Sequence, residues 1–374
     1  MAEQLKNFFD AEVVRSIARD LRGACPAFRE RAFIDQCMTG LDDLELIARG
    51  WHIAEAMHQH LPRSFAAAAE ILIASLGPEH VDGESSGMAP FRYLPHVLFV
   101  QKYGLEDFEI AMRAQYELTK RFSAESSIRA FLVRHPERTY ARLVEWARDG
   151  NVHVRRLVSE GTRPRLPWAP RLRAFQQDPR PVIALLEMLK DDPERYVQRS
   201  VANNLNDIGK DHPDLAVEVC RRWSVGAKPG RAWIVKHALR SLVKQGHGGA
   251  LALMGAGAFP KVAIDNVRLS PSNVTLGGRL RLSFDIVSTA RKPQTLLVDY
   301  AVHFVKANGT TKRKVFKLRR LDLPAGGRMQ LASTVSFADL TTRRHYPGKH
   351  RLEALINGAV HPLAAFELRA HPGK

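Results

Sequence analysis

A carboxylate, a tryptophan and four arginines stand within nineteen residues of this chain, in VHVRRLVSEGTRPRLPWAP at positions 152–170. An ionised carboxylate can stabilise positive charge or direct a water, an indole face attracts cations, and arginines suit a polyanion. Val154, Leu157 and Val158 fall on one helical face by the i, i+3, i+4 rule, which places Glu160 near the end of a helix packed into a core. Gly161 is the expected stop. Pro164, Pro167 and Pro170 keep the next residues from resuming a helix and leave Trp168 on a stiff connection. Two readings stay open for each side chain. Trp168 is either presented or caps the seam between two helix pairs, since a large apolar residue in a loop is usually core. Glu160 is either chemical equipment or half of an ion pair with Arg163 or Arg156.

A second polar run, VANNLNDIGK, puts Asn203, Asn204, Asn206 and Asp207 on a helix that also offers Val197, Val201 and Leu205 to a core. Asn and Asp are poor helix-interior residues, so function and a helix fraying ahead of Asp211-His212-Pro213 are both open. The sequence holds no GxxxxGK[ST], no GxGxxG after a strand, no HExxH and no GxSxG. His52, His58 and His60 are spaced by six and two and do not share a helical face as metal ligands. Carboxylates and aromatics are what remains for catalysis.

The elements that must position these residues divide in two. With 45% hydrophobic and 25% charged residues the 374-residue chain reads as globular. Its net charge of +17 points to a polyanionic partner or an acidic membrane surface. The excess lies late: residues from 261 onward carry +13 and residues 1–260 only +4. Cys25, Cys37 and Cys220 are too few and scattered for a disulfide framework and read as reduced thiols of a cytoplasmic protein. The N-terminus lacks the pattern of a signal peptide, and no apolar run approaches a membrane span.

Helical spacing starts at once, with Leu5, Phe8, Phe9, Val13, Val14, Ile17 and Leu21. Further helices are expected at about 27–40, 41–61 and 65–76, the last with Ser64 as N-cap, then a polar loop at 83–87 and two amphipathic segments between Tyr93 and Lys120. A loose repeat opens at Ile128, Val154, Val197 and Ile234, each followed four positions on by Leu132, Val158, Val201 and Ala238. Helix pairs at such irregular spacing fit degenerate HEAT-like repeats, and Glu160, Asn203 and Arg240 take equivalent places in them. Beyond about residue 260 the rhythm becomes alternation. Roughly seven strands separated by turn signals occupy about 110 residues, the size of an immunoglobulin-like β-sandwich. The expected architecture is therefore a helical-repeat solenoid over 1–258, the catalytic domain, and a basic sandwich over 259–374. Lys312, Arg313, Lys314, Lys317, Arg319, Arg320, Arg343 and Arg344 supply the basic charge. An edge strand defended against aggregation looks similar, but +13 exceeds what solubility asks of so small a domain.

At Ser123-Ala124-Glu125-Ser126-Ser127-Ile128-Arg129, at SEGTRPRLPWAPRL and at SVANNLNDIGK, and in the pairing of a helical N-terminal part with a basic β domain, the chain resembles the AlkC-type DNA alkylation repair glycosylases. These belong with the AlkD type to a HEAT-like glycosylase superfamily, and AlkD-type proteins lack the C-terminal domain. The resemblance implies a bacterial, monofunctional enzyme acting as a monomer on double-stranded DNA. It would cleave the N-glycosidic bond of cationic N3-alkylated bases, 3-methyladenine foremost and 3-methylcytosine next, with no metal or cofactor. It implies that Trp168 contacts the lesion or its deoxyribose and that Glu125, Glu160 and Asp207 are the carboxylates around the scissile bond. AlkD-type sites place an aspartate one turn after a tryptophan, whereas here Leu172 follows Trp168 by four, so the catalytic carboxylate must come from another segment.

A cationic base is already a good leaving group, which leaves an oxocarbenium-like sugar to stabilise and a water to direct. Superfamily members are associated with capturing kinked DNA rather than flipping the base into a tight pocket. Arg155, Arg156, Arg163, Arg165, Lys210 and Lys236 are the phosphate contacts expected from the helical part, with Lys312, Arg313, Lys314, Arg319 and Arg320 from the β domain. The competing reading is a non-enzymatic nucleic-acid-binding scaffold, under which Glu125, Glu160, Asp207 and Trp168 need not converge. A membrane adaptor is disfavoured, because no basic amphipathic helix or lipidation signal is present.

Overall fold

A computed structural model describes residues 5–80, 88–257, 259–339 and 343–370. The polar loop expected at 83–87 lies outside them. The described residues form sixteen α-helices, the last ending at Leu253, and then eight strands. None of the described helices is long and apolar enough to cross a membrane. Cα packing divides the chain into two compact units, residues 1–212 with 222–238, and residues 213–221 with 239–374. The switch from helix to strand and the packing boundary therefore fall at different places. The short helices Arg240–Lys244 and Gly248–Leu253, assigned to the helical domain by sequence, pack with the β-rich unit.

In the helical unit, local rules place the ends and apolar faces hold the stack. The helix Ala11–Ala24 starts at Asp10, whose carboxylate accepts from the amides of Glu12 and Val13, and buries Val14, Ile17, Ala18 and Leu21. Ser64 does precede the helix Phe65–Ala74, but its side chain makes no capping bond. Each expected repeat opening lies in a helix: Ser127–Arg134, Val152–Gly161, Arg195–Ile208 and Pro229–Ala238. Arg195–Ile208 packs against both Val152–Gly161 and Pro229–Ala238.

The asparagine-rich run does not fray. Asn204, Asn206 and Asp207 are buried within a helix that continues to Ile208. Asn204 Nδ2 donates to the Ser159 carbonyl at 2.7 Å and to Thr162 Oγ1 at 3.1 Å, and Asn206 Nδ2 donates to the Ala238 carbonyl at 2.6 Å. Residues costly for the helix alone thus tie it to its neighbours on both sides.

In the β-rich unit, β1 (Val262–Ser270), β3 (Arg279–Ser288) and β6 (Arg328–Ser336) form one sheet in the order β1-β3-β6. The second sheet, β2-β8-β7-β4-β5, comprises β2 (Val274–Thr275), β8 (Ala359–Arg369), β7 (Gly348–Ile356), β4 (Gln294–Val305) and β5 (Thr311–Leu323). All pairs are antiparallel except β2 with β8. Alternate residues fill the core, among them Leu282, Phe284 and Ile286 of β3, Val298, Tyr300 and Val302 of β4, and Leu352, Ala354 and Ile356 of β7.

The turn between β7 and β8 is Asn357-Gly358, both at positive φ (47° and 80°), the two-residue hairpin that this dipeptide favours. Asn357 also accepts from the Leu297 amide at 2.7 Å and donates to the Gly257 carbonyl at 2.7 Å. β5 is an edge strand, and Lys312 and Lys314 stand opposite Phe304 and Val302, in register with the face that β4 turns to the core. Both lysines are exposed, and charged side chains along an edge strand block pairing with another chain.

Candidate active site

Three carboxylates from three segments meet two arginines in one alternating chain. Arg156 bonds Glu125 and Ser123 Oγ and lies 3.6 Å from Glu160. Arg163 bridges Glu160 at 2.6 Å and Asp207 at 2.8 Å, and Lys210 closes the series on Asp207 at 2.7 Å. Ser200 Oγ donates to the other oxygen of Glu160 at 2.6 Å. The helix Val152–Gly161 supplies Arg156 and Glu160 from one face, because they are four residues apart. The helix Arg195–Ile208 brings Ser200 and Asp207, and Glu125 comes from the turn before Ser127–Arg134. Exposure falls along the series: the side chain of Glu125 is 28% accessible, Glu160 8% and Asp207 2%. Glu125 is thus the carboxylate most open to an incoming molecule.

Electrostatics keep Glu160 and Arg156 charged. Burial opposes ionisation of Glu160, but Arg156, Arg163 and the Ser200 hydroxyl outweigh it and hold the carboxyl below the usual range. Burial likewise disfavours the Arg156 cation, yet Glu125 and Glu160 keep it firmly protonated. Of the two sequence readings of Glu160 the ion pair is present: it is paired with Arg163 at 2.6 Å and lies 3.6 Å from Arg156, and the same pairing fixes it as an anion. Such a group is no proton donor at neutral pH. It is equipped to stabilise positive charge.

Trp168 is presented. Its side chain is 68% exposed, while Leu166 and Leu172 on either side are buried and fill the seam. Its φ of +61° lies in the left-handed region, an uncommon conformation for a bulky residue that costs about 1–3 kcal/mol. What holds it there is Arg129, a residue whose role the sequence did not suggest. The buried Arg129 guanidinium donates to the carbonyls of Gly161 at 3.0 Å, Arg163 at 2.7 Å and Pro170 at 3.1 Å, spanning the whole loop. The Leu172 amide closes that loop on the Pro164 carbonyl at 3.2 Å. Burial, with Arg163 nearby, pulls Arg129 down to about 10, which leaves it charged at neutral pH.

Gly161 does not stop its helix by a left-handed turn. The helix does end at Gly161, but its C-cap, Thr162, keeps ordinary right-handed geometry. A Cβ at Gly161 would come within 2.5 Å of Ile128 Cγ2, so the glycine lets two helices approach closely.

Glu125, Arg156 and Trp168 border one cavity of about 460 Å³, walled by Trp51, Phe91, Phe122 and Tyr196. Glu160 and Asp207 lie in the ion-pair chain behind it. Arg156 sits over the Tyr196 ring at 5.3 Å. Among the described residues no cluster of His, Cys, Asp or Glu is placed to hold a metal.

Several expected phosphate contacts are otherwise engaged. Arg155 spends its donors on Asp192, at 2.6 Å from Nε, and on the carbonyls of Asp149 and Gly150. Arg156 and Arg163 are committed to the carboxylate chain. Arg165 is paired with Asp211 and half-buried. These four are internal partners before they are phosphate ligands. Lys210 keeps 42% of its side chain accessible while bonded to Asp207, and Lys236 is exposed. Lys312, Arg313, Lys314, Arg319 and Arg320 are all exposed on β5, with Arg313 bonded to Glu353 at 3.1 Å.

Comparison with known proteins adds a common identity to this geometry. A family model described as "DNA alkylation repair enzyme" matches residues 122–239, and one described as "Uncharacterised protein YhaZ, C-terminal Ig-like domain" matches residues 263–370. The uncharacterised protein YhaZ of Bacillus subtilis is 35% identical over 365 residues, 97% of this chain and 99% of its own length. The structure of Pseudomonas fluorescens alkylpurine DNA glycosylase AlkC bound to DNA containing an abasic site analog is 40% identical. It covers 98% of this chain and 100% of its own, with a TM-score of 0.88.

Proposed function

The chain belongs to the AlkC-type DNA alkylation repair glycosylase family, and from that premise we propose that it is a monofunctional DNA glycosylase. It hydrolyses the N-glycosidic bond of cationic N3-alkylated bases in duplex DNA, 3-methyladenine first and 3-methylcytosine second, as a cytoplasmic monomer without metal or cofactor. The observation that carries this reading is the alternating carboxylate–arginine chain beside the presented Trp168.

The C1′–N bond breaks with its electron pair passing to the base, which leaves neutral because it entered positive. An acid to protonate it is unnecessary, which suits a Glu160 carboxyl held as an anion. The sugar becomes oxocarbenium-like, and Glu125, the most open of the three acids, faces its charge. Water adds to C1′ and gives its proton to a carboxylate oxygen. Glu160 and Asp207 hold Arg156 and Arg163 in register behind Glu125. Trp168 lays an indole against the cationic base or the deoxyribose, an attraction of up to about 2 kcal/mol when desolvated. Lys210 and Lys236 with the β5 cations grip the phosphates of a kinked duplex.

The test is single-turnover release of 3-methyladenine from methylated duplex DNA, with DNA binding measured alongside. The intact protein is expected to release the base. Glu125→Gln is expected to lower the rate by about 10²–10³ and Trp168→Ala by up to about 30-fold, both with duplex binding retained. Folded protein that binds DNA and releases no base would return the chain to the scaffold reading.

A further inference from the structure

The cavity bordered by Trp168 holds polar groups that the carboxylate–arginine chain does not use. Gln101 Oε1, His80 Nε2 and His153 Nε2 line it, are buried, and meet no hydrogen-bond partner among the described protein atoms. His153 is only 7% exposed. Leaving a buried polar atom unmatched costs about 1–3 kcal/mol, and three around one cavity are best understood if a bound molecule meets them.

What that molecule is follows from the walls. Trp51, Phe91, Phe122 and Tyr196 offer flat apolar faces suited to a stacked ring. Burial, with His80 next, keeps His153 below the ordinary histidine range, so it faces the cavity uncharged at neutral pH. Glu125 and Arg156 satisfy each other at the border. Among the described lining residues the Arg156 cation is already paired, and the interior presents aromatic surface with the Gln101 amide and the uncharged His153 beside it. Gln101 Oε1 accepts only, while each histidine nitrogen donates or accepts by tautomer. An exocyclic amine and ring nitrogens on one planar edge match that set. The volume of about 460 Å³ falls within the usual range for small-ligand sites.

We propose that this cavity receives the alkylated nucleobase once the N-glycosidic bond has broken, a product site distinct from the sugar-facing Glu125; the proposal rests on the glycosylase reading above. The two sites divide by charge. Before cleavage the base is a cation and favours the carboxylate at the border. Afterwards it is neutral, that attraction is gone, and stacking with neutral hydrogen bonds favours the interior.

The experiment is calorimetric titration of free 3-methyladenine into the full-length protein without DNA, with single-turnover excision run on the same preparations. The probe is expected to bind with one-to-one saturation. Gln101→Leu and His153→Phe should each weaken it about tenfold, with circular dichroism showing that both variants fold. Absence of saturable binding up to millimolar probe, in protein that excises, overturns the product site and leaves the glycosylase reading standing. Equal affinity in the intact protein and both variants also overturns it. Binding of the free base by folded protein that never excises one removes the product role together with the glycosylase reading.

Discussion

At the scale of single residues, the carboxylate–arginine chain makes charge and stability one quantity. Arg156 joins two carboxylates from inside the fold, and removing one member of a buried ion pair typically costs about 3–5 kcal/mol. Arg156→Met is therefore expected to lose several kcal/mol in urea denaturation, and a loss under about 1 kcal/mol would contradict that role. Glu160 gives a pH signature. Its carboxyl titrates lower in the folded protein than in the unfolded chain, so its contribution is complete above the unfolded value of about 4.3 and is lost as pH falls through the folded one. The melting temperature of the intact protein should drop more steeply below about pH 4.3 than that of Glu160→Gln. Parallel melting curves for the two proteins would exclude this linkage. Part of this was legible in the sequence: three prolines placed Trp168 on a stiff connection but left presentation and seam-capping both open, and an ion pair of Glu160 with Arg163 or Arg156 stood as one of two readings. Arg129 was not legible. It sits beside buried Ile128, Phe131 and Leu132, and its partners are backbone carbonyls 32 to 41 residues away, which no local pattern encodes.

At the scale of elements, the site depends on how closely three helices pack. Gly161→Ala would drive a methyl into Ile128, an overpacking expected to cost about 1–3 kcal/mol. Ile128→Ala in the same chain removes the Cγ2 methyl that the new Cβ would meet, so the two changes together should cost less than their sum, and strict additivity by denaturant titration would show that they do not share that contact. Asn204 ties two of the same helices, so Asn204→Ala is expected to lose about 1–2 kcal/mol. Helical spacing located the repeat helices well because burial imposes it. The polarity of VANNLNDIGK left function and fraying undecided, since propensity is local and the carbonyls that reward Asn204 and Asn206 belong to other helices. Strand β2 was missed because two residues carry no alternation.

At the scale of the whole molecule, uneven charge was visible in composition, and the shift from helical to alternating rhythm located the β-rich part. The packing of residues 239–254 with the β-rich unit was not visible, because a short helix reads the same whichever core it serves. The β5 cations test what the charge is for. If they neutralise phosphates, replacing Lys312, Lys314, Arg319 and Arg320 together by neutral residues should lower the slope of log affinity against log salt by about 0.9 for each phosphate released. An unchanged slope accompanied by aggregation would assign them to edge protection.

The left-handed backbone at Trp168 bears on how this protein could be engineered. A search for stabilising substitutions would rank the position highly, since glycine adopts φ of +61° without steric penalty and the tryptophan side chain it would remove is mostly in solvent. Trp168→Gly should then gain thermal tolerance while giving up excision, a trade between durability and turnover concentrated in one residue. Selection for heat resistance alone would be drawn to the same substitution.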